Sequence, residues 1–216
     1  IASDEKGSVR AWSVPSGRLE NVVAPSGATR LAVFANGERV VASNSMVSGV
    51  LEVKTGKVVR RLQEELTIGI KAIALANGGK LLVSNSGREG IAIWDTETGR
   101  QKKVFKEYKS VHLIACAPDT TRVAAASYEN LLHMIDIKNG KEFWKVKLDS
   151  HIQHLVYSQD GKRLATTSAD HGVRIWDAAT GDILHTLTTD KPEDMYVCAA
   201  FSPDNQTIII GELMGG

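Results

Sequence analysis

Apolar and polar residues alternate along this chain in short stretches of about four to six residues, the length of typical strands. One such stretch contains Leu155 and Tyr157. It is followed by Asp160-Gly161, a dipeptide favoured in tight hairpins because glycine adopts positive φ without strain. No stretch keeps the period of a helix for more than a turn or two. The pattern predicts an all-β fold.

The alternating pattern returns every 41 residues. One column of equivalent positions contains only serine: Ser45, Ser86, Ser127 and Ser168. A second column is mostly apolar: Phe34, Leu75, Cys116 and Tyr157. A third column contains tryptophan in three repeats and an aliphatic residue in two: Trp12, Val53, Trp94, Ile135 and Trp176. The unit that contains Val53 is two residues shorter than the others, so its register is ambiguous by two residues. A further copy of the repeat follows an insertion of three residues, and its Phe201 corresponds to Tyr157.

Each repeat contains four strand-like stretches, which predicts one four-stranded antiparallel sheet per repeat. A single sheet of this size leaves an apolar face in water, whereas similar sheets stacked around an axis cover one another. The sequence therefore predicts a β-propeller that spans 1–216 as one domain. Its predicted parts are a partial blade at 1–24, blades at about 28–64, 69–108, 111–148 and 152–189, and a partial blade at 196–216.

The segments VRIWDAATG (Val173 to Gly181) and IAIWDTETG (Ile91 to Gly99) resemble the WD-repeat family. The resemblance implies structural roles for the residues at the repeat's conserved places: Trp12, Trp94, Asp95, Asp136, Asp170, Trp176 and Asp177. Three repeats depart from the family pattern: one has Ser13 in place of the aspartate, one has Ile135 in place of the tryptophan, and the shortened unit ends in LEVKTG. No repeat has the family's Gly-His dipeptide, so we expect its His–Ser–Asp–Trp hydrogen-bond network to be incomplete.

Propellers of this family mostly have seven blades, so the resemblance implies a segment of a larger propeller. A five-bladed ring closed within the chain is the alternative.

Charge and composition narrow the function classes. The chain has 26 lysines and arginines against 25 acidic residues, a net charge of +1, which argues against a nucleic-acid footprint. Its apolar runs are too short to span a bilayer, and no secretory signal is visible. Cys116 and Cys198 fall in strand-like stretches, so we expect two buried free thiols and a cytoplasmic or nuclear location.

Motifs of catalysis are absent from the sequence: it contains no nucleophile elbow and no phosphate-binding glycine loop. We predict no metal site and no cofactor. His151 and His154 are three residues apart, which places them on opposite faces of a strand. The basic run Lys102, Lys103, Lys106 and Lys109 is either a patch for an acidic partner or phosphate, or an outer strand whose lysines deter pairing with other chains.

The loops between the second and third strands of the repeats emerge on one end of the predicted propeller, together with the linker 188–196. In the WD-repeat family that end commonly receives peptide ligands. The candidate partner-binding residues on these loops are Lys6, Arg88, Tyr128, Glu129 and His171.

The sequence thus favours a non-catalytic scaffold that binds a protein or peptide, rather than a nucleic acid or a membrane. Two alternatives stay open. The segment could be a sensor or autoinhibitory region of a larger signalling ATPase or kinase that carries WD repeats. It could also be part of a quinoprotein-like enzyme, because Trp144 in IDIKNGKEFWKVK (Ile135 to Lys147) resembles the tryptophan that docks against the next blade in those propellers.

Overall fold

A computed structural model describes residues 2–3, 9–24, 30–43, 48–62, 70–86, 90–118, 122–170, 172–187 and 195–213. Regular structure in these ranges is almost entirely strand, and their only helical element is the single 3-10 turn Asn77–Gly79. No helix in these ranges has the length and hydropathy to cross a membrane. The prediction of an all-β fold is confirmed. The chain forms two compact units, 1–107 and 108–216.

Unit 1 contains three antiparallel sheets whose neighbouring strands are consecutive in the chain. The strands of sheet 1 are β1 (Ala2–Ser3), β2 (Val9–Trp12) and β3 (Leu19–Ala24). Those of sheet 2 are β4 (Arg30–Val33), β5 (Arg39–Ser43), β6 (Ser48–Glu52) and β7 (Val58–Arg61). Those of sheet 3 are β8 (Ile73–Ala76), β9 (Leu81–Asn85), β10 (Ile91–Asp95) and β11 (Gln101–Phe105).

Unit 2 follows the same plan with two four-stranded sheets and one of two strands in its described residues. Sheet 4 contains β12 (Val111–Cys116), β13 (Arg122–Ser127), β14 (Leu131–Asp136) and β15 (Glu142–Lys147). Sheet 5 contains β16 (Ile152–Tyr157), β17 (Arg163–Ser168), β18 (Gly172–Asp177) and β19 (Ile183–Leu187). Sheet 6 contains β20 (Met195–Phe201) and β21 (Ile208–Leu213).

An aspartate at the end of the third strand shapes the turn into the fourth. Asp177 accepts hydrogen bonds at Oδ1 from the backbone N–H groups of Ala179 (2.8 Å) and Thr180 (3.0 Å). Asp95 does the same for the two corresponding residues of sheet 3. The turn then closes on Gly181, whose φ of +82° lies in the left-handed region. The repeated pairing of aspartate and glycine in the sequence therefore has a local cause.

Two tryptophans of the third strands fill the space between neighbouring sheets. The side chains of Trp94 and Trp176 are fully buried. Each indole N–H donates to a hydroxyl on the adjacent strand, Trp94 to Ser84 (3.1 Å) and Trp176 to Thr166 (3.0 Å). Trp12 occupies the corresponding place in sheet 1 but is 42% exposed.

Neighbouring sheets cover one another's apolar faces within each unit. In unit 2, Leu132 and Met134 of sheet 4 pack in one cluster with Leu155, Leu164 and Trp176 of sheet 5. In unit 1, a cluster joins sheets 2 and 3 through residues of both: Val41, Val50, Leu82, Ala92 and Trp94. The first strands of successive sheets also contact each other, β4 with β8 in unit 1, and β12 with β16 and β16 with β20 in unit 2. Within each unit, the described sheets are therefore stacked blades, and sheets 2 to 5 each contain four antiparallel strands.

The register of sheet 2 differs from the predicted columns. Leu51 lies opposite Val40 just as Trp94 lies opposite Leu82, so Leu51 takes the place of the tryptophan and the assignment of Val53 is wrong. The hairpin before it is shifted too: the N–H of Phe34 donates to the carbonyl of Arg39, as Ser158 does to Arg163 in sheet 5. Phe34 thus corresponds to Ser158 and not to Tyr157.

The prediction of two buried thiols is wrong for Cys198, which is exposed. Cys116 is partly exposed as a residue, but burial of its thiol raises the pKa of that thiol to about 12. The thiol of Cys116 therefore stays protonated at neutral pH.

Fourth strands contact the glycine turn of the next sheet within each unit. The indole N–H of Trp144 on β15 donates to the carbonyl of Ala178 (3.1 Å), and a Cβ at Gly181 would lie 2.7 Å from the Trp144 ring. In unit 1, the aliphatic part of Arg60 on β7 lies over Gly99 in the same way. Glycine is thus required in this turn for two reasons: its φ is positive, and a neighbouring side chain approaches too closely to leave room for a Cβ.

Candidate functional site

The turn between β13 and β14 presents two of the candidate partner-binding residues, Tyr128 and Glu129. The N–H of Tyr128 donates to the carbonyl of Ser110 (3.0 Å), which ties the turn to the start of β12. Asn130 closes the turn with a φ of +61°, a conformation that asparagine tolerates better than most residues. Both side chains face solvent, Tyr128 with 49% of its surface exposed. An aromatic ring and a carboxylate are thus held side by side on an ordered turn.

The Tyr128 ring belongs to an aromatic stack, by which we mean His112, Tyr128 and His151. The ring centroids of His112 and Tyr128 are 4.4 Å apart, and those of His112 and His151 are 4.5 Å apart. The Tyr128 and His151 rings are almost parallel, with 7° between their planes and 5.5 Å between their centroids. Stacking at these distances is favourable and fixes the ring orientations. The two histidine rings therefore hold the exposed Tyr128 ring in one orientation.

His112 anchors the aromatic stack to the next sheet. It lies at a β-bulge of β12, between Val111 and Leu113, and is buried. Its Nε2 lies 2.8 Å from the carbonyl oxygen of Ile152 on β16, to which the ring N–H donates. The bulge thus turns a polar side chain across the gap between sheets 4 and 5.

Sheet 5 carries a polar network at the turn between β17 and β18, which corresponds to the turn between β13 and β14 in sheet 4. Asp170 accepts hydrogen bonds from the Ser168 hydroxyl (2.7 Å) and the Gly172 N–H (3.2 Å). The Arg174 guanidinium donates to Asp170 Oδ2 (2.5 Å) and to Ser168 Oγ (2.7 Å). The hydrogen bonds from Arg174 lower the pKa of Asp170 to about 2, and the Ser168 hydroxyl acts in the same direction. An arginine of the third strand therefore holds this aspartate.

Comparison with known proteins agrees with this architecture. The model of the family described as "Anaphase-promoting complex subunit 4 WD40 domain" matches residues 117–209. The WD repeat-containing protein SL1-17 of Schistosoma mansoni is 27% identical over 143 residues, which cover 65% of this chain and 46% of that protein. These matches support a WD-repeat family for this chain.

Other WD-repeat relatives match over shorter parts. The COMPASS component SWD3 of Saccharomyces cerevisiae is 24% identical over 138 residues, which cover 59% of this chain and 44% of that protein. The protein LST8 homolog of Drosophila pseudoobscura pseudoobscura is 29% identical over 106 residues, which cover 46% of this chain and 33% of that protein. This WD-repeat chain thus spans less than half the length of the first curated relatives it matches.

Three of the five candidate partner-binding residues of this WD-repeat chain, Lys6, Arg88 and His171, lie outside the described residues, as does most of the linker 188–196. The structure brings Tyr128 and Glu129 together and adds His112 and His151, which the sequence analysis missed.

A signal for His112 was present in the sequence. His112 shares its position in the repeat with other polar residues spaced by 41: Arg30, Lys71 and Gln153. Arg30 bonds across to the Lys71 carbonyl in unit 1, as His112 does to Ile152 in unit 2. A polar residue repeated at the start of an apolar strand therefore indicates a link between blades.

Within the described ranges, no group of histidine, cysteine and carboxylate side chains is placed to hold a metal ion. His151 and His154, the pair considered in the sequence, serve different partners. His151 joins the aromatic stack, whereas His154 accepts a hydrogen bond at Nδ1 from the N–H of Ala199 (3.2 Å). Burial lowers the pKa of His154, which keeps its ring neutral and able to accept.

Replacing Asp170 with asparagine is expected to lower the stability of unit 2 at neutral pH but not near pH 2. The pKa of this carboxylate falls from 3.8 to about 2 on folding, so ionised Asp170 stabilises the fold above about pH 4. That contribution is lost as the pH falls through about 2. Urea unfolding of both proteins at several pH values measures the difference. A difference that stays constant from pH 7 to pH 2 would contradict the assigned role of the Arg174 pair.

Proposed function

We propose that this WD-repeat chain is a non-catalytic scaffold in the cytoplasm or nucleus, and that its Tyr128 surface binds a segment of a protein partner. The Tyr128 surface consists of Tyr128, Glu129 and the supporting rings of His112 and His151. The observation that carries the proposal is the half-exposed Tyr128 ring, held in one orientation by stacking on a buried histidine. The relatives, which are WD-repeat proteins, support the general role in protein interaction.

The geometry of the Tyr128 surface suits a peptide. A tyrosine offers a large apolar area with few rotatable bonds, and tyrosine is enriched at interface hot spots. Because the aromatic stack already orders the ring, binding loses less side-chain entropy than it would with a mobile tyrosine. The Glu129 carboxylate beside it adds an acceptor for N–H groups or a basic side chain. A protein segment matches these groups better than a nucleic acid or a membrane does.

We expect Tyr128→Ala to weaken binding of the partner by about tenfold or more, the effect typical of a hot-spot residue. The experiment uses the tagged chain to capture proteins from a cell extract, with wild type and variant compared by quantitative mass spectrometry. A protein retained by wild type and lost by Tyr128→Ala is then purified, and its affinity for both is measured by calorimetry.

The matched control is Leu184→Ala, which removes an apolar side chain of similar exposure from the outer strand β19. This variant should keep the partner at wild-type affinity. Retention of every captured protein by Tyr128→Ala would remove Tyr128 from the binding surface. If the partner proves to be another domain of the same polypeptide, the sensor or autoinhibitory alternative replaces an external scaffold role.

The quinoprotein alternative rests on Trp144, and the structure does place that ring against the turn of the next sheet. The corresponding positions in the other four-stranded sheets hold Arg60, Lys103 and His185, which lie opposite the same residue of the third strand. The tryptophan is therefore not a feature of every repeat. Near-ultraviolet absorbance of the purified chain tests for a quinone directly.

A further inference from the structure

Exposed lysines and arginines are concentrated on the outer strands of unit 1, although the chain as a whole is almost neutral. We call this surface the basic edge, and it consists of the exposed cationic residues Lys57, Arg60, Arg61, Arg100 and Lys102. The net charge of the chain is only +1. In unit 2, β15 and the turn before it carry Lys138, Lys141, Lys145 and Lys147 beside Glu142, whereas β19 has no lysine, arginine or carboxylate. The basic edge differs from both in its three arginines, which two sheets contribute.

Two sheets bring the basic edge together. The Arg60 side chain of β7 lies over Gly99, so close that a Cβ there would be 3.2 Å from the Cγ and Cδ atoms of Arg60. The same Cβ would collide with the carbonyl oxygen of Arg61. Arg100, the next residue after Gly99, begins the approach to β11. The three arginines of sheets 2 and 3 are consequently neighbours on one continuous surface.

Little within the described residues neutralises this charge. The ion pair found there is Lys102 with Asp95 (3.4 Å), and no described carboxylate pairs with Arg60, Arg61 or Arg100. Lysines on an outer strand deter pairing with other chains. That role does not account for Arg100, which precedes the strand, and β19 lacks charged residues altogether. A cluster of cations of this kind favours association with a negatively charged partner.

The apolar residues of the basic edge identify the kind of anion. Val58 and Val59 adjoin the arginines on β7 and are 47% and 46% exposed. A nucleic acid would gain little from valines, and the aromatic residue of β11, Phe105, is buried and offers no ring for base stacking. An extended peptide can add to a strand edge through its backbone while its side chains meet valine and arginine. We propose that the basic edge docks an extended peptide in which acidic and apolar residues alternate.

The test measures binding of the 216-residue chain to a short fluorescent peptide of alternating glutamate and valine, by fluorescence anisotropy. A peptide with lysine in place of glutamate is the charge control. The glutamate peptide should bind, the lysine peptide should not, and affinity should fall as salt rises from about 50 to 500 mM. We expect Arg61→Glu/Arg100→Glu to weaken binding by about tenfold or more, since both reversals place like charges together.

The matched control variant is Lys141→Glu/Lys145→Glu, which makes the same reversal at the corresponding positions of sheet 4. It should bind the glutamate peptide like wild type. The proposal would be overturned if both double variants lost binding equally. It would also be overturned if the chain bound duplex DNA or phosphatidylserine vesicles but not the peptide. Tyr128→Ala should leave this binding unchanged, so the result is independent of the proposed function of unit 2. Circular dichroism of the variants confirms folding, because none of the four replaced side chains is buried.

Discussion

Replacing Trp176 with alanine should lower the free energy of unfolding of unit 2 by about 3–5 kcal/mol, the range found for large aromatic residues in cores. The indole is 1% exposed and packs between sheets 4 and 5 beside Leu132, Met134 and Leu164. Its loss leaves a cavity that rigid strands cannot close, and it also leaves the Thr166 hydroxyl without its donor. Urea unfolding followed by far-ultraviolet circular dichroism measures the change.

Trp12→Ala is the control for this prediction, because Trp12 occupies the same place in sheet 1 but is 42% exposed. We expect it to lower stability by less, about 1–2 kcal/mol, because a large part of the Trp12 side chain already faces solvent and the ring belongs to none of the apolar clusters described in unit 1. Similar effects of the two substitutions would mean that the repeat position, rather than burial between sheets, determines the contribution of the tryptophan.

The parts of the fold that sequence predicted are those with local causes. Alternating apolar residues define strands, and Asp177 with Gly181 defines a turn through hydrogen bonds between residues close together in the chain. The same local rule holds at Asp95 and Gly99. Because neither depends on a distant partner, the four-stranded repeat can be recognised from the amino-acid sequence alone.

Sheet 2 shows where that reasoning fails. Its first hairpin and its third strand both depart from the 41-residue spacing, so a fixed offset selected Val53 instead of Leu51. A slip of one residue exchanges the two faces of a strand, whereas a slip of two keeps the face. Apolar pattern alone therefore could not distinguish Val53 from Leu51. The strand partner of Val40 decides between them, and that contact is absent from a linear pattern.

The Tyr128 surface was predicted only in part for a similar reason. Tyr128 and Glu129 are adjacent in the chain and lie on the same predicted loop, so the sequence pattern identified both. His112 and His151 reach the ring from β12 and from the residue before β16, at distances of 16 and 23 residues along the chain from Tyr128. The network at Asp170 also includes Arg174, which the sequence pattern did not single out. That contact becomes visible only when the loop and the third strand are placed together in the structure.

Gly181→Ala tests the contact between neighbouring sheets and should lower the stability of unit 2 by about 2–4 kcal/mol. Two effects add. A Cβ at φ +82° is strained by about 1 kcal/mol, and the same atom would lie 2.7 Å from the Trp144 ring, which must move. Movement of the ring also breaks the hydrogen bond from its N–H to Ala178. Urea unfolding gives the total loss.

A double-mutant cycle separates the two effects. In a Trp144→Ala background the collision is gone, so Gly181→Ala should then lower stability by only about 1 kcal/mol. Gly37→Ala gives an independent measure of conformational strain, because Gly37 has a φ of +70° and its Cβ would meet nothing within 4 Å. If Gly181→Ala lowers stability equally with and without Trp144, the ring does not press on the turn, and glycine is needed there for backbone conformation alone. A cost that falls to the level of Gly37→Ala instead means that Trp144 couples sheet 4 to sheet 5 through this turn.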